Sequence, residues 1–391
     1  MSEPGARRRI GYVAVTGLMF LAFSYLDVIA GRLVPFDVTL VAAGITGFAV
    51  YLRVITERSE PPKGLGIILI LWVAFLIGVH GSTSSEYASS KVTSLFTLAL
   101  LCALGGLYIL RSSEARAWWL KLNVAIGAVT AAVAYFLPNQ EASETFDRLA
   151  IEGGSAISTG RAAGAAFVVL VVVALQGGRY RKVSILAAIA LSLIMVDTGS
   201  RGPLLASVIA VLVAAMAPTR GRFARVLLGV SAVGASAYLA VATDLVAERV
   251  TTLGQSGQNR LYFWELTWNA SIESPLGVGW GGLQSYLPAL RDYPHNVLLE
   301  TFAEASWIAG IILVVALWIG LRRQRAAAVG GIVEMAMLGL LVFHLLNAMV
   351  SSDVPGNRGL WVSLGAALVV VVSRHEPSSQ PEEITRSGSR P

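Results

Sequence analysis

Apolar runs of bilayer length, each closed by a short polar segment, repeat along this chain from one end to the other. Nothing else in the sequence restricts its fold as much. Hydrocarbon offers no partners for backbone N–H and C=O groups, so a chain that enters it repeatedly must satisfy them within helices or in a closed barrel. The period-2 alternation of a membrane barrel is absent. The expected fold class is therefore all-α, a polytopic integral membrane protein. Composition agrees: 55% of the residues are hydrophobic and 14% charged, and soluble chains carry more charge. About twelve spans are expected, at approximately 10–30, 38–55, 64–80, 92–110, 117–137, 162–176, 183–197, 203–217, 223–243, 297–320, 329–350 and 357–373. They form one transmembrane domain, 1–373, with an extracytoplasmic loop at 244–296 and a cytoplasmic tail, 374–391, of disordered composition.

The loops test the count. Clusters of three basic residues recur on alternate sides: Arg7/Arg8/Arg9, Arg53/Arg58/Lys63, Arg111/Arg116/Lys121, Arg179/Arg181/Lys182, Arg220/Arg222/Arg225, Arg322/Arg323/Arg325 and Arg374/Arg386/Arg390. The positive-inside rule places all seven in the cytoplasm, with both termini. The implied location is a membrane that the chain crosses many times, and the partner of the apolar faces is the bilayer. The net charge of +6 reads as this topology signal, with no nucleic acid implied. The first run is too long for a signal peptide and is expected to be retained. Cys102 is the single cysteine and lies within an apolar run, which rules out an intrachain disulfide. No His, Cys, Asp or Glu spacing points to a metal, and no cofactor is expected.

Nine basic residues resist the topology rule by falling on the outer side: Arg32, Lys91, Arg148, Arg161, Arg201, Arg249, Arg260, Arg291 and Arg358. Three of them stand at expected helix mouths: Arg161 in "STGRAAGAAF", Arg201 in "DTGSRGPLLAS", with Pro203 suited to a first helical position, and Arg260 in "GQNRLYFW". Guanidinium groups beside free helix N–H groups suit a phosphate or pyrophosphate. Each arginine taken singly fits headgroup snorkelling as well. "RLYFWELTWNAS" suits a short interfacial helix. "SPLGVGWGG" must be a turn, and without a preceding strand it is no nucleotide fingerprint.

After that loop, "RDYPHNVLLE" crowds polar groups at the mouth of a span. Asn296 is an expected N-cap. His295, with an ordinary pKa of about 6.5, can serve as a general base or be a hydrogen-bonded interfacial residue. Glu300 and Glu304 lie one turn apart, near Trp307, and carboxylates inside a span face a cavity or a basic partner. His80 is expected at an interface and His344 packed and hydrogen-bonded within a span.

The series "SRGPLL", "NRLYFW", "SPLGVGWGGLQSY" and "HNVLLETFAEASWIAG" resembles the O-antigen ligase and polymerase superfamily, and "GRAAGAAF" is similar to its upstream arginine motif. The resemblance covers roughly residues 155–310. It implies a GT-C-like membrane glycosyltransferase that takes a glycan from an undecaprenyl-pyrophosphate carrier, without a metal, and passes it to a glycan or lipid-linked acceptor in surface polysaccharide biosynthesis. By the same resemblance Arg201 and Arg260 contact the pyrophosphate, Arg161 assists and His295 activates the acceptor. Glu304 matches the family's glutamate after His-Asn, with Asn296, Arg291 and Arg358 as further binding positions. The readings that compete are a repeat-unit polymerase of the same superfamily, a lipid or polysaccharide transporter, and a cell-wall polymerase. Transporters favour broken helices with polar groups at mid-membrane, whereas the polar set here sits at the outer mouths.

Overall fold

The apolar runs fold as helices. The computed structural model describes residues 4–23, 36–56, 61–83, 85–136, 138–142, 147–151, 155–217, 253–288 and 292–370. Helix α1 is Pro4–Ala22 and α2 is Val38–Thr56. Helix α3 runs from Leu65 to Phe75 and, past Leu76, from Ile77 to His80. Helix α4 begins as Glu86–Ser94, loosens into a π-helical segment, Leu95–Ala99, and ends as Leu100–Tyr108. Helix α5 is Ser113–Phe136. Then come α6 (Ala156–Gln176), α7 (Arg181–Asp197), α8 (Arg201–Ala215) and α9 (Leu253–Glu273). Helix α10 is Val297–Glu300, continued by a π-helical turn, Thr301–Ala305. The last three are α11 (Trp307–Ala327), α12 (Ile332–Ala348) and α13 (Arg358–Val369).

The expected spans fall on these helices, except the one at 223–243, which lies outside the described residues together with the tail and Arg291. Among the described residues, five helices are long and apolar enough to cross a bilayer: 38–56, 86–108, 113–136, 156–176 and 307–330. The apolar helices Arg9–Ala22, Leu65–His80, Arg201–Ala215, Ile332–Ala348 and Arg358–Val369 are shorter. Helices α12 and α13 are almost wholly buried in protein, so their length need not match the hydrocarbon thickness of about 30 Å. One element departs from the all-α expectation. An antiparallel hairpin, β1 (Pro138–Ala142) with β2 (Asp147–Ile151), joins α5 to α6 and pairs Pro138 with Ile151.

Helix starts follow local chemistry. Ser85 caps α4 by accepting the Ala88 amide at 3.1 Å. Ser155 and Ser158 form a reciprocal capping box at α6. Helix α6 is central: 72% of its span is buried inside the protein, against 17% for α2 at the periphery. Small residues let backbones touch there. A Cβ on Gly127 of α5 would lie 2.7 Å from the Ala162 carbonyl oxygen, and one on Gly365 of α13 would lie 2.1 Å from that of Ala103 in α4.

Polar contacts sort the loops into two ends. Tyr12 bonds Glu114, Arg116 pairs with Glu334 at 2.9 Å, and Gln324 also reaches Glu334. All belong to the end assigned to the cytoplasm by charge. At the other end Ser85 meets Gln284, Arg161 meets Ser351, and Arg358 donates to the Leu21 carbonyl at 3.2 Å.

Candidate functional site

Helix α10 carries two carboxylates into the protein, and one lysine meets both. Lys91 Nζ of α4 lies 2.6 Å from Glu300 Oε1 and 2.5 Å from Glu304 Oε2, and all three side chains are fully buried. Spacing by one turn puts both acids on one face, and they converge on a residue more than two hundred positions earlier. The ammonium also lies over the rings of Tyr87 and Trp280, at 5.3 and 5.8 Å from their centroids. Buried charge of this kind is costly unless paired. A π-helical segment follows the lysine in α4, and a π-helical turn contains Glu304. Such segments free backbone carbonyls. Trp72 Nε1 adds a second donor, at 3.2 Å, to the Leu95 carbonyl, which already accepts the Leu100 amide.

The glycine-rich turn takes up the freed carbonyls of α10. The amide of Val278 donates to the Ala303 carbonyl at 2.8 Å and that of Gly279 to the Glu304 carbonyl at 3.1 Å. Trp307, the first residue of α11, donates its amide to the Pro275 carbonyl at 3.0 Å across the break at Ser306. Gly277, Gly279 and Gly281 all have φ near +80 to +90°, where L side chains are strained. The turn that superficially offers a phosphate cradle is thus the cap of a broken helix.

His295 and Asn296 sit directly before α10. Asn296 is the expected N-cap: its Oδ1 accepts the amides of Leu298 and Leu299, each at 3.1 Å. His295 has φ +58°, a conformation rare for a residue with a side chain. Its ring packs edge-on against Tyr293, with centroids 4.6 Å apart. Burial lifts the Tyr293 phenol above its ordinary 10, and the Asp353 and Glu300 carboxylates push the same way. The segment is tied to α9 through Trp264 Nε1, which donates to the Pro294 carbonyl at 3.0 Å.

The loop 350–357 links the arginines to this segment. Arg161 Nη2 donates to the Ser351 carbonyl at 3.1 Å, and also reaches the Asn347 carbonyl and Asn357 Oδ1. Glu300 Oε1 accepts the amide of Val354 from the same loop at 3.1 Å. A Cβ on Gly202 would meet Val350 at 3.1 Å, so the start of α8, with Arg201, abuts the loop too. Gly160 would likewise meet Ser200 at 3.1 Å. Arg161, the start of α8 beside Arg201, and Glu300 therefore all abut loop 350–357, and the His295 segment leads directly into the helix that carries Glu300.

Three expectations need correction. Arg260 does not open its helix: α9 begins at Leu253, two turns earlier, so the helix N-terminus lends this arginine nothing. "GQSGQN" has the composition of a loop, yet it is the first part of a 21-residue helix. Arg260 instead lies one turn before Trp264, the tie to Pro294. Pro203 is the third residue of α8 rather than the first, still within the turn that needs no amide partner. Trp307 stays apart from the acids and donates Nε1 to the Ser271 carbonyl at 2.8 Å. Arg358 opens α13, and its guanidinium closes the end of α1 through Leu21. His344 is buried against Phe343 and Phe23 as expected, but its buried Nε2 has no hydrogen-bond partner among the described residues. Lys91 is the residue whose role sequence reasoning missed. Its signal was a lysine just before an expected span, on the side that the topology rule leaves poor in positive charge.

Residues 185–305 match a family model described as O-antigen ligase. The match supports the resemblance to the O-antigen ligase and polymerase superfamily and contains Arg201, Arg260, His295, Asn296, Glu300 and Glu304. Lys91, Arg161 and Arg358 lie outside it. Among curated proteins, none matches the chain.

Proposed function

We propose, from the O-antigen ligase match, that this protein is a membrane glycosyltransferase working at the outer face of the bacterial plasma membrane. Its donor is a glycan on undecaprenyl pyrophosphate and its acceptor a hydroxyl of another glycan or lipid-linked sugar. Both termini lie in the cytoplasm. The observation that carries this reading is the meeting of Arg161, the Arg201 helix start and Glu300, in the helix that follows His295, around loop 350–357. In the reaction, the bond between the anomeric carbon and the pyrophosphate oxygen breaks. The acceptor oxygen forms the new glycosidic bond, and its proton passes to a ring nitrogen of His295. Negative charge grows on the departing pyrophosphate, where Arg201 and Arg260 stabilise it. Arg161 orders the loop beside them. The bilayer holds the polyprenyl tail.

A repeat-unit polymerase of the same superfamily differs in the acceptor alone. One observation favours a transporter: α10 and α11 form a broken helix beside buried charges, a feature of transporter sites. Here, however, the glycine turn takes up the broken ends. Deleting the gene and analysing the surface glycans separates the readings. Loss of attachment indicates a ligase, loss of chain length a polymerase, and intracellular accumulation a transporter. Restoration by His295→Ala as well as by wild type would remove the glycosyl-transfer reading.

A further inference from the structure

We propose that Lys91 is a positioning residue of the outer-end site. In this role it fixes the His295 segment and loop 350–357 in one arrangement from a part of the chain that the family match does not cover. This rests on the functional reading above, but its structural part can be tested apart from it.

The argument follows the contacts outward. Lys91 draws Glu300 and Glu304 onto one point, 2.6 and 2.5 Å away. That sets the rotation of α10 about its axis, because the two acids stand on successive turns. The first turn of α10 is capped by Asn296, which follows His295 directly. Rotating the helix would therefore move the histidine. The same Glu300 oxygen that meets Lys91 also accepts the Val354 amide at 3.1 Å. Through that bond the lysine sets the height of loop 350–357. Two residues of that loop, Ser351 and Asn357, receive the Arg161 guanidinium, and Val350 lies against Gly202, next to Arg201. One buried ammonium thus holds the base-bearing segment and the surroundings of two arginines in register. Cation–π contact with Tyr87 and Trp280 holds the lysine in turn.

Burial explains why a lysine–diglutamate cluster suits this task. In a low-dielectric interior an ion pair gone astray leaves uncompensated charge, so alternative rotations of α10 are strongly disfavoured. An apolar contact would allow sliding. No part of this role requires Lys91 to touch the donor or the acceptor.

The test is backbone amide exchange on the purified full-length protein in detergent, with surface glycan measured in the complemented deletion strain. The variants are Lys91→Met, Lys91→Arg and the all-neutral Lys91→Met/Glu300→Gln/Glu304→Gln. The last leaves no buried charge unpaired, so it stays informative where the single methionine variant fails to fold. In the methionine-bearing proteins, exchange should rise roughly tenfold or more at 292–296 and around Val354, with the rest of the bundle unchanged. Surface glycan should fall about tenfold or more, the scale expected when reacting groups are misplaced by an ångström or so. Lys91→Arg, which keeps the charge, should restore both. Wild-type exchange at 292–296 and 350–357 in both methionine-bearing proteins would overturn the proposal. So would a rise spread evenly over all helices, which marks a general loss of stability. If exchange changes as expected but the glycans are unaffected even by His295→Ala, positioning stands and the glycosyl-transfer reading fails.

Discussion

Trp280 donates its indole N–H to the carbonyl oxygen of Phe75 at 3.0 Å, and the two rings meet edge-on with centroids 5.6 Å apart. The partners are 205 residues apart. Phe75 ends the first part of α3, where the helix is interrupted at Leu76, and the indole supplies a donor at that interruption. The backbone amide of Trp280 also bonds Gly78 at 3.0 Å. A single fully buried tryptophan therefore joins the glycine turn to the N-terminal half of the chain.

Trp280→Phe should cost about 1–3 kcal/mol, the range for leaving a buried acceptor unpaired. Trp280→Ala should cost about 3–5 kcal/mol, because it also opens a cavity. Thermal unfolding in detergent measures both. An alanine variant that melts with the wild type would show that the turn is not anchored here.

Two glycines with similar φ make a controlled pair. Gly279 has φ +82°, and a Cβ there would lie 1.9 Å from the Gly81 carbonyl. Gly177 has φ +79° with nothing described within 4 Å. Gly177→Ala should cost only the left-handed backbone penalty, about 1–2 kcal/mol. Gly279→Ala should cost more and lower the yield of folded protein, since backbone must move. Equal melting temperatures for the two variants would contradict the close approach.

Much of this arrangement could be read from the sequence. The apolar runs, the Asn296 cap and the shared face of Glu300 and Glu304 are local features, set by composition, by hydrogen bonding within a turn and by helical period. The acids announced a missing partner but not its identity, because nine outer basic residues were available and no local rule selects Lys91 from them. Arg260 was misplaced within its helix because Gln, Ser, Gly and Asn favour loops locally, while packing of Phe263 and Ala270 against Leu283, Leu287 and Ala303 decides the matter at a distance. The glycine turn showed that it was a turn. That it caps α10 depends on α3 and α4, which are remote in sequence.

Arg201→Lys and Arg260→Lys should insert and fold normally yet lose most transfer activity. Lysine keeps the charge but lacks the bidentate fork that suits pyrophosphate. Surface glycan and membrane protein level, measured on the same cells, report the two effects separately. Full activity in both variants would favour headgroup snorkelling instead.

His295 holds its place at φ +58°, so stability and activity should diverge there. His295→Gly removes the backbone strain and should be about 1 kcal/mol more stable than His295→Ala. Both should lose transfer by about 10²–10⁴-fold, as expected for a general base. Activity in the presence of a strong chelator should equal that in its absence. Wild-type turnover by either variant, or chelator sensitivity reversed by a divalent ion, would take the base role away.

Sidedness can be read with two cysteines on a background lacking Cys102. Ser285 and Ser113 are both exposed, at opposite ends of the bundle. A reagent that crosses the outer but not the inner membrane should label Ser285→Cys in intact cells and Ser113→Cys only after lysis. The reverse pattern would invert the topology.

The ion cluster also bears on how such proteins can be recombined. The family match ends at residue 305 and begins at 185, so it is the natural cassette for exchange between relatives. Such a graft would carry Glu300 and Glu304 into a host that must already provide a lysine at the depth of Lys91 and a tryptophan-receiving carbonyl like that of Phe75. Hosts without them would receive an intact motif and a register that does not mesh. Exchange of acceptor preference by cassette should therefore succeed or fail according to residues 72–91, which the cassette leaves behind.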